Sequence, residues 1–155
     1  MVKPRLRKRL GDLLVEEGVI SNDQLMAALK NQKGKGIKLG ASLIDLGYIN
    51  EEQLLKFLAK QLNIPFYDLS KVKIDQAAVQ LIPEVQARRL RVLCIHAEPD
   101  RATVVMSDPA DLNAMDSVAA LLMPREIEFA VAREAQLLTS FGQLYRKTKE
   151  IETFA

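Results

Sequence analysis

Apolar residues in the first 61 positions recur at helical spacing, and those beyond fall into short blocks that switch between helical and extended patterns. Leu25, Leu29 and Gln32 share one helix face at i, i+4 and i+7, and Leu54, Leu58 and Gln61 repeat the arrangement. Pro65 ends the helical stretch and pushes Ile64 towards extended geometry. Beyond it the pattern predicts a strand at 65–69, then short helices at 75–82 and 84–90 divided by Pro83. A hairpin of 91–97 with 102–106 follows, around the turn Glu98-Pro99-Asp100. A helix over 112–122, a strand over 126–131 and a helix over 134–145 close the chain. The predicted fold class is α+β, with a helical module at 1–61 and a small α+β module at 62–155 large enough for its own core.

The helical module is a tandem duplication. Shifted by 29 residues, RLGDLLVEEGVISNDQLMAALKNQ (9–32) lies over KLGASLIDLGYINEEQLLKFLAKQ (38–61). Nine of the 24 positions are identical: Leu10/Leu39, Gly11/Gly40, Leu14/Leu43, Gly18/Gly47, Ile20/Ile49, Gln24/Gln53, Leu25/Leu54, Leu29/Leu58 and Gln32/Gln61. Chance supplies roughly one or two at ordinary residue frequencies. Each copy reads as a short helix that starts at Leu-Gly and ends at Gly18 or Gly47, then a second helix capped by Ser21 or Asn50. Gln24 and Gln53 stand where a capping box needs them.

Two features of each copy have both a packing and a binding reading. Gly11 and Gly40 sit in a first helical turn, where glycine costs ~1 kcal/mol against alanine. They serve either close helix packing or the approach of a phosphate to backbone N–H groups, with Arg9 or Lys38 adjacent. Gln32 and Gln61 either cap their helix ends or hydrogen-bond to something laid across the leucines. Two equivalent half-sites suit an anionic ligand with twofold character and flat groups. A cyclic dinucleotide meets these conditions without being singled out by them.

Composition narrows the classes. The chain has 155 residues, 48% apolar and 27% charged, which excludes disorder, collagen and coiled coil as the overall class. The start of the chain has basic residues but no apolar run behind them, so neither a secreted precursor nor a membrane-spanning protein is expected. One cysteine, Cys94, and one histidine, His96, make no disulfide framework or zinc site, and a reducing cytosol is the expected compartment. Both fall in one apolar strand, two residues apart and so on the same face, where an inert buried thiol is expected. Positive charge gathers at Lys3, Arg5, Arg7, Lys8 and Arg9 and again at Lys30, Lys33, Lys35 and Lys38. That suits solvated surface or a modest anion site. It is too small for duplex DNA, and the absence of tryptophan argues against a single-strand platform, so no DNA or RNA partner is expected.

The tandem pattern RLGxxLxxxGxIxxxQLxxALxxQ, with its spacer KGKGI, resembles the paired motifs of the MshE N-terminal domain family. The segments IPFYDLSKVKIDQAAVQLIPEVQARRLRVL and VVMSDPADLNAMDSV extend the resemblance over nearly the whole chain. It implies a regulatory domain that binds cyclic di-GMP at the front of an extension ATPase of type IV pili or type II secretion. The implied contacts are Arg7, Arg9, Leu10, Gly11, Leu14, Leu25, Leu29 and Gln32 in the first copy. In the second they are Lys38, Leu39, Gly40, Leu43, Leu54, Leu58 and Gln61. Lys38 departs from an arginine-like position, so unequal half-sites are expected. Guanine's N1–H and N2–H donors require an acceptor, and Asp108 is the candidate; its other reading is a helix N-cap before Pro109.

The resemblance implies no further cofactor. Its partners are the C-terminal ATPase domain of the full-length protein and inner-membrane platform proteins, with a cytoplasmic, membrane-peripheral location. The Gly- and Lys-rich stretch 34–42 lacks GxxxxGK[ST], and no Ser/His/Asp set is suggested, so an enzyme is not expected. The rival readings are a docking module that attaches the ATPase to its platform without nucleotide, and, further off, a cryptic nucleotide-hydrolysing domain. The leucines at 25, 29, 54 and 58 are expected to be partly exposed in the free protein, as a floor for the ligand.

Overall fold

Both copies of the repeat fold as their local signals require. The computed structural model describes residues 6–154, with side chains as far as Tyr145, so Lys3 and Arg5 of the basic run lie outside the described residues. In the first copy α1 (Leu10–Glu16) is followed by α2 (Asn22–Lys35), and in the second α3 (Leu39–Asp45) is followed by α4 (Glu51–Leu62). Ser21 accepts from the Gln24 backbone N–H at 3.1 Å while Gln24 Oε1 accepts from the Ser21 N–H at 2.9 Å. Asn50 and Gln53 repeat the reciprocal pair at 2.8 and 3.0 Å. Gly18 and Gly47 take φ of 74° and 76°, the left-handed region that an L side chain adopts only with strain. Helix α2 runs on through Gly34 to Lys35 before Gly36 caps it, so most of the sequence spacer is helical.

The two copies make one core, in which Leu14, Leu43, Ala28, Ile20 and Ile49 are buried with Leu25, Leu54 and Leu58. A polar tie crosses between them. Ser42, fully buried, donates to the Ala28 carbonyl at 2.6 Å and accepts from Asn31 Nδ2 at 3.1 Å. Asn31 also donates to Asp45, which pairs with Lys35 at 2.6 Å. These bonds, Lys35 first, hold the Asp45 carboxyl below its ordinary pKa.

The second module is built on three strands, β1 (Val92–Ala97), β2 (Arg101–Met106) and β3 (Glu126–Val131), in the order β1-β2-β3. The first two form an antiparallel hairpin. The next pair is parallel and is joined by α7 (Leu112–Leu122). Helices α5 (Gln76–Val79), α6 (Glu84–Leu90) and α8 (Glu134–Phe154) complete the module. Its separate core includes Phe141, Leu137, Met106, Met115 and Leu122, and Tyr145 donates its hydroxyl hydrogen within reach of the Val79 and Ile82 carbonyls. The α+β class is as the sequence predicts. A small third cluster of Leu55, Ala59 and Val131, flanked by Ile64 and Phe66, joins the modules.

Three local expectations are corrected. The strand at 65–69 reduces to one parallel bridge, Phe66 with Val131, because the chain turns away when Asp68 accepts from the Ser70 N–H and hydroxyl. The helix at 75–82 is only Gln76–Val79, capped by Asp75. Cys94 and His96 do not share a face: the register shifts between them, Cys94 is fully buried and His96 is exposed. Burial pushes the Cys94 thiol up to about 11, which suits an inert core residue.

Asp68 also accepts from Gln136 Nε2 at 2.7 Å, tying the start of the second module to α8. Its carboxyl falls from 3.8 to about 2, with the Ser70 hydroxyl bond as the largest cause and Gln136 next. A depressed folded-state pKa contributes stability above the unfolded value and loses it as pH falls through the folded one. Denaturation midpoints of wild type and Asp68→Asn should therefore draw together between pH 3.8 and about 2, and stay apart above it. A constant difference across that range would exclude the assignment.

Candidate ligand site between the repeat and the second module

A cleft of about 850 Å³ opens between the second copy and the α+β module. Lys38, Leu39, Gly40, Leu54 and Leu58 form one side, Leu10 reaches in from the first copy, and Asp108 stands opposite. Seven of the residues singled out in the sequence thus meet at one place. The first copy contributes only Leu10; Arg9, Gly11, Leu25, Leu29 and Gln32 lie outside this lining.

The lining carries mixed charge. Lys38 and Arg91 are its cations; Glu51, Asp108, Asp111 and Glu134 are its carboxylates. Lys38 donates to Asp108 across the module boundary, which raises the ammonium pKa above its ordinary value against the opposing effect of burial. Arg91 pairs with Glu134 at 2.9 Å. Asp108 is not the N-cap of α7. That role belongs to Asp111, which accepts from the Ala114 N–H at 3.0 Å, while Asp108 accepts from the Ala110 N–H in the preceding turn. Arg91, Asp111 and Glu134 were missed in the sequence because no motif or spacing links them to the repeat.

Ion pairing also thins the basic patches. Arg7 and Lys8 both pair with Glu16, lowering its pKa, with the Arg7 bond as the largest cause. Lys35 is held by Asp45 and Lys38 by Asp108. Among the described residues Arg9, Lys30 and Lys33 have no ion-pair partner.

Both glycines stand at close contacts between helices. A Cβ at Gly11 would stand 2.6 Å from Leu25 Cδ1, and one at Gly40 would stand 2.8 Å from Leu54 Cδ2. Neither α1 nor α3 exceeds seven residues, so neither has much of a helix dipole to offer a phosphate. The expected leucine floor is corrected in part. Leu25, Leu54 and Leu58 are buried in the module core with Leu14 and Leu43, and only Leu29 is substantially exposed, at 39%. The sequence shows the helix face but not what covers it. Gln32 and Gln61 are half-buried, and neither side chain caps its helix: the C-cap residues are Gly36 and Asn63.

No helix among the described residues is long and apolar enough to cross a membrane, and they contain no cluster of three or more potential metal ligands.

A model of the MshEN domain matches residues 62–151. The solved structure of MshE with cdg matches with a TM-score of 0.84 and 51% identity, covering 90% of this chain and 100% of that one. The N-terminal domain of XpsE, 18% identical, shares the fold with a TM-score of 0.66 over 88% of this chain and 96% of that one. Among curated proteins, the type IV pilus assembly ATPase PilB of Myxococcus xanthus is 31% identical over 137 residues, which are 88% of this chain and 24% of PilB. The PilB of Thermus thermophilus is 31% identical over 178 residues, 92% of this chain and 20% of that protein. The chain thus spans about a quarter or less of these relatives.

The burial pattern separates two leucines at equivalent positions of the duplication. Leu58→Ala should cost about 2–5 kcal/mol of stability, as Leu→Ala does in other packed cores. Leu29→Ala should cost less than about 1 kcal/mol, since much of that side chain is already in water. Chemical denaturation of the two variants decides it, and equal losses would contradict the asymmetry.

Proposed function

The chain belongs to the MshEN domain family, and from that premise we propose that it is a regulatory module that binds cyclic di-GMP. The ligand is held by the two 24-residue copies, 9–32 and 38–61. Its bound state controls a pilus-extension or secretion ATPase carried elsewhere in the full-length protein, at the cytoplasmic face of the inner-membrane platform. The observation behind this reading is the 51% identity to MshE, solved with cdg, over the whole of that chain. The cleft agrees with it, since Leu10 and the second copy's Lys38, Leu39, Gly40, Leu54 and Leu58 face Asp108 there.

The residues divide the work by chemistry. Arg9, exposed and without an ion-pair partner among the described residues, is the cation most available to a phosphate or to stack on a base, with Arg7 close by in sequence. Asp108 supplies the acceptor that guanine's N1–H and N2–H need. Gln32 and Gln61, not occupied in capping, hydrogen-bond to the ligand near Leu29 and Leu58. Gly11 and Gly40 act indirectly, by letting the helices close to the right spacing. Leu14, Leu25, Leu43 and Leu54 support the site from beneath.

Calorimetry with cyclic di-GMP, GTP and ATP tests the reading. Binding of cyclic di-GMP with no heat from the mononucleotides is the expected result. Absence of binding to all three would return the repeat to the docking reading, and turnover of a mononucleotide would favour the hydrolytic one.

Arg9→Ala should weaken cyclic di-GMP binding by about 1–3 kcal/mol, roughly 5- to 150-fold. Lys38→Ala should weaken it less, because Lys38 must first leave Asp108, and its loss frees that carboxylate. Equal losses in the same titrations would contradict the inequality of the two copies.

A further inference from the structure

The cleft has the wrong charge for a phosphate pocket. Four carboxylates, Glu51, Asp108, Asp111 and Glu134, share it with only Lys38 and Arg91. Hydrogen-bond acceptors in such excess suit a ligand group rich in N–H donors, and the cations that remain must meet acceptors on that same group. Guanine has this double character: N1–H and N2–H donate on one edge, and O6 and N7 accept on the adjoining one.

Arg91 is placed to meet the second edge. Its Nε donates to Glu134 at 2.9 Å and its Nη1 to the Arg88 carbonyl at 2.6 Å, which fixes the plane of the guanidinium. A guanidinium has five N–H bonds, so three remain for a ligand. Its own carbonyl accepts from the Ser107 N–H at 3.4 Å, tying it to the residue next to Asp108. The backbone adds a second indication. Arg91 caps α6 at φ 56°, a position where glycine meets the conformational demand without strain, so the cap does not account for an arginine.

We propose that this cleft receives a guanine base, with Arg91 donating to O6 and N7 and Asp108 accepting from N1–H and N2–H, and that Arg91 thereby selects guanine over adenine. The proposal rests on the cyclic di-GMP reading above. Adenine would keep N7 for one arm of the fork but set its N6 amino group against the other and its N1 acceptor against the carboxylate, so the O6 and N1 contacts would both become repulsive. Glu134 holds the fork in orientation.

The test is calorimetry on the whole chain with cyclic di-GMP, its 7-deazaguanine analogue and cyclic di-AMP. Wild type should bind cyclic di-GMP, bind the analogue lacking N7 several-fold more weakly, and ignore cyclic di-AMP. Arg91→Lys keeps the charge and loses the fork; Arg91→Gly relieves the backbone strain and so guards against a variant that merely fails to fold. Both should lose roughly 10- to 100-fold in cyclic di-GMP affinity and bind the two guanine ligands alike. A general structural role for Arg91 would instead lower affinity for both ligands and leave their ratio as in wild type, which overturns the proposal. So does wild-type affinity in either variant. Failure of the wild type to bind cyclic di-GMP is a different result: it removes the functional reading itself, before Arg91 is at issue.

Discussion

The architecture of the repeat depends on two close approaches of a helix backbone to a leucine. At Gly11 and Gly40 any larger residue would drive a Cβ into Leu25 or Leu54, at 2.6 and 2.8 Å. Without a side chain there, α1 closes onto α2 and α3 onto α4, and Leu14 and Leu43 reach zero exposure in the shared core. The same closeness brings α1 to α3, since a Cβ on Gly11 would also stand 3.2 Å from Leu39 Cδ2. Leu10 and Lys38, at the heads of the two short helices, then arrive at one cleft.

Duplication produces two similar copies, and the second module makes them unequal. Met26 and Leu55 occupy the same place in the repeat, yet Met26 is 66% exposed and Leu55 4%. Leu55 packs with Ala59 on Val131 of β3; Lys30 is the counterpart of Ala59 and could not lie there without desolvating an ammonium. Only the second copy can therefore dock on the sheet in this way, and it supplies most of the repeat's share of the cleft that holds Asp108, the first copy adding Leu10.

Much of what depends on neighbours in sequence was legible. The capping boxes at Ser21 and Asn50, the left-handed Gly18 and Gly47, and the bounds of α6, α7 and β3 follow from local rules. What failed was either a short segment with competing local bonds or a residue whose partner the sequence does not show. The period-two rule placed Cys94 and His96 together, but Ile95 is an extra residue in the pairing and separates them. The extended segment at 65–69 had no way to reveal that Asp68 would take the Ser70 backbone for itself. Within the site, Asp108 was found through guanine chemistry carried in by a family resemblance. Arg91 and Glu134, 43 positions apart, had no such guide, because the fold alone brings them together.

The junction of the two modules is held lightly. One cluster of three buried residues, Leu55, Ala59 and Val131, is reinforced among the described residues by two ion pairs, Lys38 with Asp108 and Arg133 with Glu52. Pairs as exposed as these contribute about 0–1 kcal/mol each. A ligand that spans the cleft touches both modules over a larger surface than either pair does, and it competes for Asp108, one half of such a pair. It would therefore replace a weak, salt-sensitive tie with a set of directed contacts. Any preference of the ligand for one relative placement of the modules shifts their equilibrium by its differential affinity, and a junction this lightly held offers little resistance. On the proposed reading, regulation would act through that imbalance: two well-packed cores, a narrow seam between them, and Lys38 and Asp108 facing each other across it.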